Sequence, residues 1–107
     1  MANNIQTEIE KLKKQIVYLG AAVQENMQNS VKALWGKNPD LARKVIATDK
    51  DEIDRMEISV EEECLRLLAL HQPVAGDLRF IVTVLKIDND LERIGDLAAK
   101  IDRKSVV

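Results

Sequence analysis

Only two prolines, Pro39 and Pro73, interrupt this chain, and they divide its 107 residues into three stretches of similar length. Proline lacks a backbone N–H and clashes with the preceding turn, so helices stop before it or start at it. Each break carries further helix punctuation. At the first, Gly36 suits the left-handed position just past a helix end, Asn38 suits an N-cap, and Pro39 suits the first helical turn. At the second, His71-Gln72-Pro73 precedes Gly76; either Pro73 opens the next helix or Asp77 caps it after a short turn. The reading is three helices, from about Asn4 to Trp35, from about Pro39 to Leu70, and from about Val74 to Lys104. Each spans roughly 45 to 50 Å at ~1.5 Å per residue. Helices of that length hold only when a face is packed.

Apolar periodicity supplies the face. Ile5, Ile9, Leu12, Ile16, Leu19 and Val23 follow a 4-3-4-3-4 spacing, a coiled-coil-like seam. In the second helix Leu41, Val45, Ile53, Met56, Val60, Cys64 and Leu67 lie on one side. In the third, Val74, Leu78, Ile81 and Leu85 form one stripe, and Leu91, Ile94, Leu97 and Ile101 a second, rotated one. The expected fold is all-α: an up-down-up, spectrin-like bundle of three long antiparallel helices in a single domain, 1–107. The second stripe on helix three predicts a homodimer that buries parts of Ile94, Leu97 and Ile101.

Composition narrows the function. Net charge is -2, so the basic stripe of a nucleic-acid binder is missing, and three aromatics give no stacking platform. No apolar run approaches the ~20 residues of a membrane span. One cysteine, Cys64, forbids an internal disulfide, and the N-terminus shows no secretory pattern. A cytoplasmic chain is expected, brought to the inner membrane only by partners. Cys64 reads as core, His71 as a helix C-terminal residue complementing the dipole, and Trp35 as a plug at the bundle end. Lys11, Lys13 and Lys14 lie opposite the seam on a solvated face. No nucleophile–base pair is visible, so no enzyme is expected. A di-iron site built on Glu-x-x-His is excluded, because His71 is the only histidine.

The acids form a pattern. Asp88, Glu92 and Asp96 are spaced by four, share one face, and continue the stripe of Val74, Leu78, Ile81 and Leu85. Asp49 interrupts the stripe of helix two between Val45 and Ile53. Folding the second and third helices back at Gln72–Pro73 sets Asp49 level with Asp96, Ile53 with Glu92, and Glu57 with Asp88. Asn26, the next seam position after Val23, reaches the same layer from helix one. Clustered carboxylates repel unless a cation or a proton intervenes, and oxygen donors suit Mg, Ca, Mn or Fe better than Zn. The alternative is a solvated face in which the acids pair with Arg93, Lys100 or Lys50.

At these residues the chain resembles the PhoU family. The resemblance is carried by Asp40 through Lys50 with Ile53-Asp54 and Met56-Glu57. It continues in Glu63-Cys64-Leu65-Arg66, in Gln72-Pro73 with Ala75, Asp77, Leu78 and Arg79, and above all in Leu91-Glu92-Arg93-Ile94-Gly95-Asp96. It runs from about Leu19 to Asp102 in order and spacing. It implies an all-helical regulator that restrains a high-affinity phosphate transporter and its sensor histidine kinase. It further implies metal ligation at Glu92 and Asp96, joined by Asp49 and Asp54, with iron favoured and Mg or Mn also suited. The alternative function is a structural helical adaptor without metal. Members of that family are similar to two tandem three-helix repeats, whereas this chain carries one. The expectation is therefore a single-repeat protein, or a piece cut at the repeat boundary, in which a homodimer restores the two-repeat arrangement.

Overall fold

The computed structural model describes residues 4–105, and these form an elongated bundle of 54 × 22 × 16 Å. Helix α1 runs Ile5–Gly36, α2 Pro39–Thr48, α3 Asp54–His71 and α4 Ala75–Ser105. A π-helical turn, Asp49–Ile53, joins α2 to α3. The two therefore continue as one rod, and the architecture is the expected up-down-up three-helix bundle. Among the described residues, no helix is long and apolar enough to cross a membrane.

The caps follow local chemistry. Asn4 Oδ1 accepts from the Gln6 N–H at 2.9 Å and opens α1. Asn38 Oδ1 accepts from Leu41 N–H at 3.1 Å, with Pro39 in the first turn of α2, as expected. The left-handed residue of this turn is not Gly36 but Lys37, at φ 48° and ψ 50°. Asn38 is committed to extended backbone as the N-cap of α2. The single residue before it must therefore reverse the chain. The N–H of Lys37 donates to Leu34 O and that of Asn38 to Ala33 O, at 3.4 and 3.0 Å, which closes the end of α1. At the other break Gln72 and Ala75 carry positive φ. Pro73 stays outside α4, and Asp77 does not cap it. Instead the Asp77 carboxylate accepts from the Gln6 side-chain amide at 3.1 Å, tying the start of α4 to the start of α1.

The core is built from Leu12, Leu19, Val23, Ile53, Val60, Cys64, Leu67, Ile81 and Val84. The α1 seam holds and extends beyond Val23 through Asn26, Ser30 and Ala33. Three readings of the apolar stripes change. In the second rod Ala42 and Glu57 take the buried positions, leaving Leu41 and Met56 half-buried. Val74, just ahead of α4, and Leu78 within it are exposed. One continuous seam runs instead through Ile81, Val84, Asp88, Leu91, Gly95, Ala98 and Asp102, in which Leu91 is half-buried and the rest are buried. A template of large apolar residues skips it, because four of its seven positions are Asp, Gly or Ala. Trp35 does not plug the bundle end; it is 85% exposed. Cys64 is fully buried, as expected, and burial pushes its thiol up to about 11. Lys11, Lys13 and Lys14 are exposed. Arg66 clasps α3 to α1: it donates to Glu63, one turn away, and to Glu8. The guanidinium holds the Glu63 carboxyl below its ordinary range.

Candidate metal centre

The π turn decides where the acids go. In an α-helix, residues five apart diverge by ~140° around the axis. In the π turn the Asp54 N–H bonds to Asp49 O, one residue farther back than in an α-helix. The two side chains therefore return to one face. Asp96 meets them from α4, and oxygens of Asp49, Asp54 and Asp96 all lie within 4.8 Å of one another. Asp49 is buried, Asp54 half-buried and Asp96 exposed, so the group opens from the bundle interior to solvent.

Asp49 is the buried floor of this site. Its Oδ1 has no hydrogen-bond partner. It lies 2.5 Å from where a β-carbon on Gly95 would stand, so α4 can approach this closely only at a glycine. Asn26, also buried, donates its amide to Val45 O at 3.0 Å, not to the carboxylates. Burial first, then the charges of Asp54 and Asp96, raise Asp49 to about 6, with Arg103 opposing and Glu92 adding to the rise. One layer further along, Glu57 and Asp88 are buried from α3 and α4. Both oxygens of Glu57 and Oδ1 of Asp88 lack partners. Burial, with Asp54 and then Glu92, Asp49 and Asp88, pushes Glu57 up to about 8. Burial, with Glu61 and Glu92, pushes Asp88 to about 6.

Three of the four sequence candidates thus converge: Asp49, Asp54 and Asp96. Glu92 stays outside the converging set, exposed on α4, though its charge acts on Asp49, Glu57 and Asp88. The solvated-face alternative does not describe Asp49 and Asp88, which are buried, or Asp54, which is half-buried, whereas Glu92 and Asp96 are exposed. Among the described residues, ion pairs engage Glu8, Glu10, Asp40, Glu63 and Asp90, and Arg93 pairs with Asp90 at 3.2 Å. Sequence reasoning missed Gly95 as the cradle for Asp49 and Glu57 as a buried acid. The signal for both was seam spacing, read with polar and small residues included.

The donor set fits a hard cation. Carboxylate oxygens alone converge, one of them buried without a partner, and each neighbouring acid raises the cost of leaving them bare.

The PhoU domain model matches residues 16–104 of this sequence. The chain belongs to the PhoU family. A PhoU homolog of Aquifex aeolicus, a phosphate-specific transport system accessory protein, is 42% identical over 100 residues, covering 94% of this chain and 45% of that one. The phosphate-specific transport system accessory protein PhoU of Escherichia coli is 34% identical over 106 residues, covering 99% and 44%. The crystal structure of PhoU from Pseudomonas aeruginosa superposes with a TM-score of 0.91 at 38% identity, covering 96% of this chain and 49% of that one. The chain therefore spans less than half the length of the PhoU relatives it matches. The Asp49, Asp54 and Asp96 group lies wholly inside the matched PhoU domain.

Proposed function

We propose that this chain is a metal-binding accessory regulator of phosphate transport that works by protein contact. The observation that carries the metal part is the convergence of Asp49, Asp54 and Asp96 oxygens within 4.8 Å, with Oδ1 of Asp49 orphaned beneath them. These three hold the ion, and Glu92 lends charge from the rim. Iron is the favoured occupant, with Mg and Mn as alternatives of the same oxygen-ligand chemistry. A bound cation would offset the mutual repulsion of the acids and fix α4 against the π turn. The names of the relatives support the phosphate-transport role; the phosphate transporter and its sensor kinase are the partners that the family resemblance implies. Its place of action in this reading is the cytoplasm, and its assembly a homodimer.

The test is elemental analysis after reconstitution, combined with thermal melts of chelated and metal-loaded protein. A ligand that binds only the folded state stabilises it by mass action, about 2.7 kcal/mol at a hundredfold excess over Kd. Metal should raise Tm in the wild type and leave the Asp49→Asn/Asp96→Asn double variant unmoved. If reconstituted protein carries no metal and Tm does not respond, the metal reading falls and a metal-free helical adaptor takes its place.

A further inference from the structure

In a regular α-helix the residue that faces Asp54 from one turn back is Lys50, four positions earlier. The π turn sets Asp49 there instead, five positions earlier. Two residues of opposite charge thus compete for the place beside Asp54 and Asp96. Which of them holds it depends on whether the surplus residue of the rod lies after Asp49 or before it.

The core tolerates both positions. Val45, Asp49, Ile53 and Glu57 are buried at three successive intervals of four. Each interval overshoots a helical turn by about 40°, and one wide turn anywhere among the three absorbs most of the sum. Placed after Ile53, it would swing that fully buried side chain about 100° out of the seam. Placed before Asp49, it leaves Val45, Ile53 and Glu57 where they are and swings only Asp49 among the buried residues, again by about 100°.

The earlier turn is suited to widening. The Asp49 N–H is divided between Val45 O and Ile46 O. Val45 O also accepts the Asn26 side-chain amide at 3.0 Å. A side chain set into the α ladder marks a place where the ladder yields. In the second position the Lys50 N–H takes Val45 O, and Asn26 covers that carbonyl throughout the exchange. The swung Asp49 arrives where Thr48 now stands, at a hollow between α1 and α2 lined by Asn26, Asn29, Lys44 and Thr48. Asn29 and Lys44 supply the donors that Asp49 Oδ1 lacks on the α4 side. Lys50 is exposed and makes no ion pair among the described residues, so no partner holds it back. Gly95 presents no side chain to obstruct either residue.

We propose that the surplus residue exchanges between these two turns, and that in the second Lys50 replaces Asp49 beside Asp54 and Asp96, a tethered cation in competition with the metal. This rests on the metal reading under Proposed function and adds its regulation. A metal binds only the arrangement that offers Asp49, so it draws the wide turn to Asp49–Ile53. Occupancy is reported on the opposite flank of the rod: Thr48 faces the hollow with metal bound, and Asp49 faces it without.

Heteronuclear NMR of the 107-residue chain, chelated and then titrated with Mg²⁺, reads which side chain lies on Gly95. The expected result is proton–proton contact from the Lys50 side chain to the Gly95 α-protons in chelated protein, replaced by contact from the Asp49 β-protons at saturating Mg²⁺. Lys50→Gln should bind Mg²⁺ about tenfold tighter than wild type, the factor set by a Lys50 arrangement that holds about nine tenths of the chelated population. Lys100→Gln removes an exposed charge of the same sign one turn from Asp96. It should change Kd by less than about twofold at physiological salt, because an exposed charge is screened. Chelated wild type that keeps Asp49 on Gly95 overturns the proposal, whatever the metal does. Equal tightening by Lys50→Gln and Lys100→Gln also overturns it, since Lys50 would then act only as diffuse charge. A fault in the metal reading looks different: neither wild type nor Lys50→Gln takes up Mg²⁺ or iron, and Lys50 on Gly95 in the chelated chain still supports the exchange.

Discussion

Oδ1 of Asp49 occupies the place where a β-carbon on Gly95 would project, 2.5 Å from that position. Gly95 sits in mid-helix, where alanine is ordinarily preferred by about 1 kcal/mol. Here the methyl group would displace the carboxylate floor of the acidic site. Gly95→Ala should therefore destabilise the chelated protein by about 1–2 kcal/mol, since overpacking outweighs propensity. It should also abolish any stabilisation by metal. Gly20 is the internal control: nothing lies within 4 Å of a β-carbon there. Gly20→Ala should stabilise by about 0.5–1 kcal/mol. Thermal melts of both variants, with and without metal, make the comparison.

The buried acids predict an inverted pH profile. Burial raises Asp88 to about 6 and Glu57 to about 8 from ordinary values of 3.8 and 4.5. The folded chain thus holds these protons more tightly than the unfolded chain. The stability linked to them is complete below the ordinary carboxylate values and is lost as pH rises through the folded ones. Metal-free protein should melt progressively lower from about pH 4.5 to 8, and Glu57→Gln should flatten the upper part of that fall. A melting temperature that rises across this interval would contradict the burial of Glu57.

Lys37 spends its left-handed conformation at a cost of about 1–2 kcal/mol that glycine would avoid. Lys37→Gly should stabilise the chain by about 1 kcal/mol, visible as a Tm increase of about 4–8 °C. The neighbouring Gly36 is helical, so Gly36→Ala should also stabilise it, by about the helix-propensity difference.

Packing separates residues that composition treats alike. Ile81 is fully buried in the core, and Val74 lies on the surface of the second turn. Ile81→Ala should cost about 2–5 kcal/mol and Val74→Ala less than about 0.5. Urea titrations of the two variants read the difference directly.

The three-rod architecture was legible because two prolines and one asparagine cap state where helices begin, and α1 repeats its seam without error. The Asp49–Asp96 and Glu57–Asp88 levels were legible for a related reason: an antiparallel hairpin turned at a known place sets heights along its axis. Heights say nothing of rotation, and there the reading failed. Val74 and Leu78 point the sequence pattern to a face that includes Glu92, and all three are exposed. The helix in fact buries Gly95, Ala98 and Asp102, residues that carry no apolar signal. Asp54 entered only through family resemblance, since a regular α-helix turns it away from Asp49. Trp35 shows the same limit at the surface. Its size suggests a plug, but on α1 it is turned away from the buried Ala33 and stands 85% exposed.

The buried positions of the second rod are Ala42, Val45, Asp49, Ile53, Glu57, Val60, Cys64 and Leu67. Their spacing is 3, then three consecutive fours, then 3-4-3. Take away any one residue between Asp49 and Ile53 and the intervals become 3-4-3-4-3-4-3, an unbroken heptad ladder with no need of a wider turn. The acidic site is thus the local trace of a single surplus residue, the kind of change that one inserted codon makes. Deleting it would mend the helix and scatter the carboxylates. In this chain the capacity to gather charge and the perfection of the coil are alternatives, separated by one amino acid.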